Sequence, residues 1–320
     1  MRIIGQSGRD DLATVYMAEL QPDRYVEFVE SVQPPYPRDE KWVLIVSTLY
    51  GCPVGCLMCD AGGWYKGKLS AEDILNQINF LVLNRYSDRH IPASKFKIQF
   101  ARMGEPSLND NVLHVLEELP QRYDAPGLMP CISTVAPKGS EMFFERLAEI
   151  KDKLYSSGKF QMQFSIHSTC DKTRDKIIPV KKWDFDKIAA YATRFYRHGD
   201  RKIALNFALA ENYPVSTAII AEKFDPNIFM VKITPVNPTI NAESNGIINL
   251  VNDKNRIRVD DLLNDLYKSG FDVILSVGEL EENRIGSNCG QYIKHFMNTG
   301  IEPDAAYNYE FSPITPSFKP

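Results

Sequence analysis

From residue 42 onward, short apolar runs alternate with amphipathic stretches of helical period, and this alternation limits the folds open to the chain. Strand-like runs fall at WVLIVST (42–48), KFKIQFA (95–101), LMPCIST (128–134), FQMQFSI (160–166), KIALNFA (202–208), FMVKITP (229–235) and FDVILSV (271–277). Between them the pattern predicts helices over 70–83 and near 110–119, 140–154, 184–197, 215–224 and 258–269. The first opens on Ser70 three residues before Asp73, a capping signal. Strands alternating with helices at this spacing read as βαβ units, and such units build a parallel sheet. In sheets and barrels of this kind, function gathers at the C-terminal ends of the strands.

The N-terminal segment reads differently. TVYMAEL and YVEFVESV each alternate apolar and polar residues about Gln21-Pro22-Asp23-Arg24, which predicts a β-hairpin over 14–32. PPYPRDE (34–40) is too rich in proline for regular structure. The expected fold class is therefore α/β: a partial (β/α)6 TIM-like barrel with an N-terminal β-hairpin extension. The expected domains are 1–40 for hairpin and linker, 41–295 for the barrel, and 296–320 for a C-terminal tail.

Hydrophobic residues make up 44% of the 320 and charged residues 24%, as in a soluble globular chain. No apolar run approaches the roughly 20 residues of a membrane-spanning helix. MRIIGQSGRDDL lacks the apolar core of a secretory signal, so a cytoplasmic protein with no membrane partner is expected. The net charge is −4. Lys176, Lys181 and Lys182 form a local basic cluster, but the balance argues against a large RNA-binding surface.

Three of the six cysteines lie within eight residues, in Gly51-Cys52-Pro53-Val54-Gly55-Cys56-Leu57-Met58-Cys59. In a cytosolic chain such a cluster points to metal or catalysis rather than disulfides. Three thiolates at Cys-x3-Cys-x2-Cys can hold three irons of a cubane and leave the fourth open to chelate an amino acid. A closed cubane takes four cysteines, and structural zinc takes four ligands. No fourth cysteine lies nearby, and no histidine lies within 25 residues on either side. The motif follows the first predicted barrel strand and has the apolar Met58 before its last cysteine. It resembles the signature of the radical SAM superfamily, enzymes that cleave S-adenosylmethionine (SAM) reductively at a 4Fe–4S cluster.

Later strand ends carry polar residues in order. Met103-Gly104-Glu105-Pro106 follows the second strand, Ser133 and Thr134 end the third, Ser165 and His167 end the fourth, and Asn237 follows the sixth. Gly104 permits close backbone approach, and Glu105 can accept from a ligand ammonium. Taken singly, each is also an ordinary cap or turn residue.

The ordered set resembles the RlmN/Cfr-type radical SAM methylases over about residues 25–295. It comprises Gly104-Glu105-Pro106, Ser133-Thr134-Val135, Ser165-Ile166-His167, Arg174-Asp175-Lys176, Ile178-Pro179-Val180, Pro235-Val236-Asn237-Pro238 and Cys289-Gly290-Gln291. The resemblance implies a 4Fe–4S cluster on Cys52, Cys56 and Cys59. It implies SAM contacts from Gly104, Glu105, Ser133, Ser165, His167 and Asn237, and a one-electron reductant such as flavodoxin or ferredoxin. Cys289 would be methylated by one SAM. A 5′-deoxyadenosyl radical from a second SAM would abstract hydrogen from that methyl, and the thiomethylene radical would add to an sp² carbon of the substrate. Glu27 would be the proton acceptor.

The chain departs from this pattern in two ways. Ile45 stands where the family has a resolving cysteine, seven residues before Cys52, and isoleucine cannot attack sulfur. Only a hairpin and linker precede the barrel, where the RNA methylases carry an accessory domain. A methylase acting on something other than large RNA is therefore expected. Two alternatives stay open: an RNA adenine methylase with an altered resolving step, and a radical SAM enzyme that transfers no methyl. The substrate class, whether small molecule, peptide or RNA, also stays open. Cys131, inside a strand, is expected in the core, and Cys170 has no assigned role.

Overall fold

The computed structural model describes residues 1–32, 34–277, 285–286, 290–299 and 312–313. They fall into two compact units. The first contains Met1–Pro53, Asp60–Met129 and the described residues from 285 onward; the second contains Val54–Cys59 and Pro130–Val277.

In the first unit, β1 (Arg2–Arg9), β2 (Ala13–Gln21), β3 (Arg24–Ser31) and β4 (Lys41–Val46) form an antiparallel meander. The two-residue β13 (Ser312–Pro313) pairs with β1 at its edge. The expected hairpin is β2–β3, turning at Pro22-Asp23, with Asp23 at φ 60°. The strand β1 adds a third member that alternation does not reveal. Its sequence, RIIGQSGR, is interrupted by Gly5 and Gly8, and pairing with β2 supplies the order that its own pattern lacks.

The chain then changes mode. β4 pairs in parallel with β7 (Lys95–Phe100), and the crossover between them carries α1 (Ala71–Arg85). The predicted capping box is present: the Asp73 amide donates to Ser70 Oγ at 3.0 Å, and the Ser70 amide donates back to the Asp73 carboxylate. Ile74, Leu75, Ile78, Leu81 and Val82 form the buried stripe of α1. After β7 comes α2 (Asn111–Arg122), with Val112, Leu113, Val115, Leu116 and Leu119 buried.

The second unit is a parallel sheet in the order β12-β11-β10-β9-β8. Its strands are β8 (Leu128–Thr134), β9 (Gln161–Ser165), β10 (Ile203–Leu209), β11 (Phe229–Pro235) and β12 (Asp272–Leu275). The helices α3 (Glu141–Leu154), α4 (Asp171–Ile177), α5 (Phe185–Phe195), α6 (Thr217–Lys223), α7 (Ile240–Ser244) and α8 (Arg256–Lys268) lie in the connections. Phe144, Phe164, Trp183 and Tyr191 pack between β9 and the helices, with ring centroids 4.5–6.3 Å apart. On β9 the side chains of Met162 and Phe164 are buried, while Gln161, Gln163 and Ser165 line the partly open face. That alternation gives the sheet one apolar and one polar face. No described helix is long and apolar enough to cross a membrane.

One buried side chain fixes where β4 delivers the chain. Gln77 of α1 accepts from the Ser47 amide at 2.9 Å and donates to the Ser47 carbonyl at 3.1 Å, with no exposure to solvent. Replacing Gln77 by Leu would leave both buried groups unpaired. We expect a loss of about 2–3 kcal/mol, from a cost of about 1–3 kcal/mol per stranded group. Urea denaturation of the Gln77→Leu variant measures it.

Candidate functional site

The cysteine loop begins in the first unit. Thr48 and Leu49 donate their amides to the Met103 carbonyl, at 2.8 and 3.2 Å. Asn109 Nδ2 donates to the carbonyls of Thr48 and Leu69, at 2.8 and 2.9 Å. The short strands β5 (Leu49–Tyr50) and β6 (Gly67–Lys68) then pair and close the neck of the loop. Cys52 follows, bridged to Gly62, with its amide donating to the Ala61 carbonyl at 2.6 Å.

The loop continues in the second unit with Val54–Cys59. Gly55 is at φ 68°, and a Cβ there would meet only Pro179, at 3.9 Å. The Leu57 amide donates to the Ile177 carbonyl at 3.0 Å, and the Cys59 amide to the Cys56 carbonyl at 3.1 Å. The carbonyls of Leu57, Met58 and Cys59 accept from Asn245, Thr239 and Asn241 in turn.

Cys52, Cys56 and Cys59 are all partly exposed, and none forms a disulfide among the described residues. Among the described residues no three histidine, cysteine or carboxylate side chains converge on a position for a single metal ion. A cubane asks for something else, because each thiolate holds a different iron. The chemistry of the donor set, three thiols at Cys-x3-Cys-x2-Cys, fits a cubane. Cys131 lies buried in β8, as expected. Cys170 precedes α4, where hydrogen bonds from Thr173 hold its thiol below the usual range.

The expected SAM-binding residues lie at strand ends. Gly104 sits at φ 100°, and a Cβ there would fall 2.6 Å from the Leu49 side chain, so no other residue fits. Glu105 is buried and accepts from the amide and hydroxyl of Ser107, at 3.1 and 2.7 Å. In the second unit, Ser133 Oγ accepts from Gln163 at 3.2 Å. Ser165 ends β9 and pairs in register with Asn206 of β10. His167, at φ 62°, accepts the Ala208 amide on Nδ1 at 3.1 Å, which leaves the ring proton on Nε2. Burial, with a smaller contribution from the Arg174 charge, pushes its pKa down to about 4. The Asn237 side chain is exposed.

Glu27 has no solvent exposure. It forms an ion pair with Arg102, whose side chain is equally buried. Its carboxylate also accepts the amides of Gly290, at 3.2 Å, and Ile293, at 2.8 Å. These amides open α9 (Gln291–Thr299), so Glu27 caps a helix start with a negative charge. Gly290 is at φ 79°, and a Cβ there would lie 2.6 Å from the Ala61 nitrogen. Lys294 of α9 pairs with buried Asp60 at 3.4 Å. The first turn of α9 is therefore seated on the peptide that directly follows Cys59.

No family model matches the chain. It is 26% identical over 258 residues to the probable dual-specificity RNA methyltransferase RlmN of Chlorobium phaeobacteroides, covering 77% of this chain and 67% of that one. It is 26% identical over 255 residues to the ribosomal RNA large subunit methyltransferase N of Nitrosopumilus maritimus, covering 78% and 67%. A radical SAM methyltransferase from Sphaerobacter thermophilus has a solved structure with a TM-score of 0.66 and 17% identity, over 91% of this chain and 81% of that one.

The chain resembles the RlmN-type RNA methyltransferases in sequence.

The structural likeness shows the fold: mixed α/β with parallel strands, the radical SAM, TIM-like arrangement that the alternation predicts. The chain spans about half to two thirds of the length of the curated relatives it matches. Cys289 lies outside the described residues, while its neighbour Gly290 lies within them. Ile45 is half-buried on β4, between Val29 and Gln99 in register.

Three features of the site were not expected from the sequence. Arg102 has a visible charge, but its partner Glu27 is 75 residues away. The donors Thr239, Asn241 and Asn245 read as loop residues. Asn206 left a usable signal, a lone amide inside the apolar strand KIALNFA. It is buried, and among the described residues its Oδ1 has no hydrogen-bond partner.

Two outcomes are expected. Arg102→Met strands Glu27 and should cost about 3–5 kcal/mol in urea denaturation, the usual cost of breaking a buried pair. His167 binds a proton more readily unfolded, near 6.5, than folded, near 4. Its contribution to stability is therefore complete above about pH 6.5 and is lost as the pH falls towards 4. His167→Asn keeps an acceptor for the Ala208 amide and tolerates the positive φ. The urea midpoint of this variant should fall less than wild type between pH 7 and 5.

Proposed function

We propose that the chain holds a 4Fe–4S cluster on Cys52, Cys56 and Cys59, cleaves SAM reductively, and uses Cys289 as a methyl carrier towards an sp² carbon of its substrate. The observation that carries this reading is the seat of Gly290. The residue after Cys289 is packed, without room for a Cβ, on the peptide after Cys59. When bound, the cluster supplies one electron to SAM, taken from a donor of the flavodoxin or ferredoxin class.

The chain's own residues bind and orient. Only glycine at 104 lets the backbone pass this close to Leu49, which sets the turn that carries Glu105. Glu105, Ser133, Ser165 and Asn237 would meet the polar groups of SAM. His167 stays neutral at physiological pH and presents Nε2–H as a donor. The oxygens of Glu27 are already engaged by Arg102, Gly290 and Ile293, so service as a proton acceptor requires the first turn of α9 to release it.

The net charge of −4 supports a substrate other than large RNA. The names of the relatives support a second reading, adenine methylation in RNA with an altered resolving step. Anaerobic reconstitution with SAM and a reductant tests both. The peptide containing Cys289 should gain the mass of one methyl or methylene. Cys289→Ala should still form 5′-deoxyadenosine where the deoxyadenosyl radical can quench, yet transfer no methyl. An unmodified Cys289 peptide in the wild type would overturn the carrier reading. Methyladenine appearing in ribosomal or transfer RNA would decide for the second reading.

A further inference from the structure

Three consecutive carbonyls of the cysteine loop are held by one short segment after β11. Leu57 O accepts from Asn245 Nδ2 at 3.1 Å, Met58 O from Thr239 Oγ1 at 2.9 Å, and Cys59 O from Asn241 Nδ2 at 2.6 Å. The Thr239 hydroxyl has a second task, accepting the Ala242 amide at 3.0 Å as the cap of α7. Asn245 closes the same helix by donating to the Asn241 carbonyl at 2.8 Å. Between the two cysteines, Met58 packs against buried Ala208, Ala210, Val236 and Ala242. The loop is thus plugged by one apolar side chain and tied by three polar ones.

Loops rarely receive so many side-chain donors without a reason. A free loop would hydrate these carbonyls, and ordering it would cost about 1–2 kcal/mol of backbone entropy per residue. Peptide planarity adds direction: a carbonyl drawn towards α7 turns the following amide to the opposite side. The Met58 amide therefore faces away from α7. Amides and other groups around a cluster orient its thiolates and tune its potential.

We propose that Thr239, Asn241 and Asn245 form a clamp that pre-orders the Cys56–Cys59 half of the loop for cluster capture and retention. They are positioning residues, acting through the loop carbonyls they hold. This inference rests on the cluster reading given above.

The test uses the full chain, wild type beside Asn241→Ala, Asn245→Ala, Thr239→Val and the conservative Thr239→Ser. After anaerobic reconstitution with iron and sulfide, iron release to a chelator is followed by loss of visible absorbance, and the reduced clusters are compared by electron paramagnetic resonance. In the metal-free proteins, hydrogen exchange is measured across residues 55–59. Asn241→Ala should release iron about five-fold faster, the equivalent of one net hydrogen bond of about 1 kcal/mol. Thr239→Val should release it faster still, and Thr239→Ser should behave as wild type. The Leu57 and Cys59 amides should exchange faster in the Ala and Val variants. Asn245 is exposed, so its variant keeps the fold even if Thr239→Val does not. Unchanged release and unchanged exchange in the Ala variants would overturn the clamp. A wild type that takes up no cluster would overturn the cluster reading instead, and the exchange measurement would still decide the clamp.

Discussion

A single buried carboxylate organises the first unit. Glu27 reaches from β3 to Arg102 beyond β7 and to the two amides that open α9. An unpaired charge at that depth would be costly, so these groups must be in place together. Gly290 then brings the start of α9 against the Asp60–Ala61 backbone. Gly290 and the Asp60–Ala61 peptide are more than 200 residues apart in sequence, yet they meet through this one arrangement.

The same arrangement bears on the departure at Ile45. The resemblance implies a resolving cysteine at that point. Here the position is an apolar strand residue paired with Val29 and Gln99. Cys131 is buried in β8 and Cys170 precedes α4, both in the second unit. On the proposed reading, Ile45 supplies no thiol for the release step that the resemblance implies.

The strand–helix alternation was legible because every barrel strand carries its own apolar run. Strand β8 occupies 128–134 and β11 occupies 229–235, as the sequence predicts. The helix α1 was legible from Ser70 and Asp73, whose exchange of hydrogen bonds is local. The strand β1 was not, because its order comes from pairing with β2 rather than from its own pattern. The cysteines and strand-end polar residues could be read as a set. Glu27 could be noticed but not understood, since its partners are set by tertiary contacts. The donors to Leu57, Met58 and Cys59 lie about 180 residues away in sequence and could not be read from spacing.

Asn206 carries one more consequence. It lies on the polar face of the second sheet, in register with Ser165 and Lys232, and its buried oxygen has no partner among the described residues. A ligand that covers it with an N–H or O–H donor completes a hydrogen bond that the fold leaves open. One that covers it with a methyl or an oxygen seals a dry acceptor, at a cost of about 1–3 kcal/mol. Selectivity would then come from rejection: the wrong ligand is excluded by the bond it fails to make.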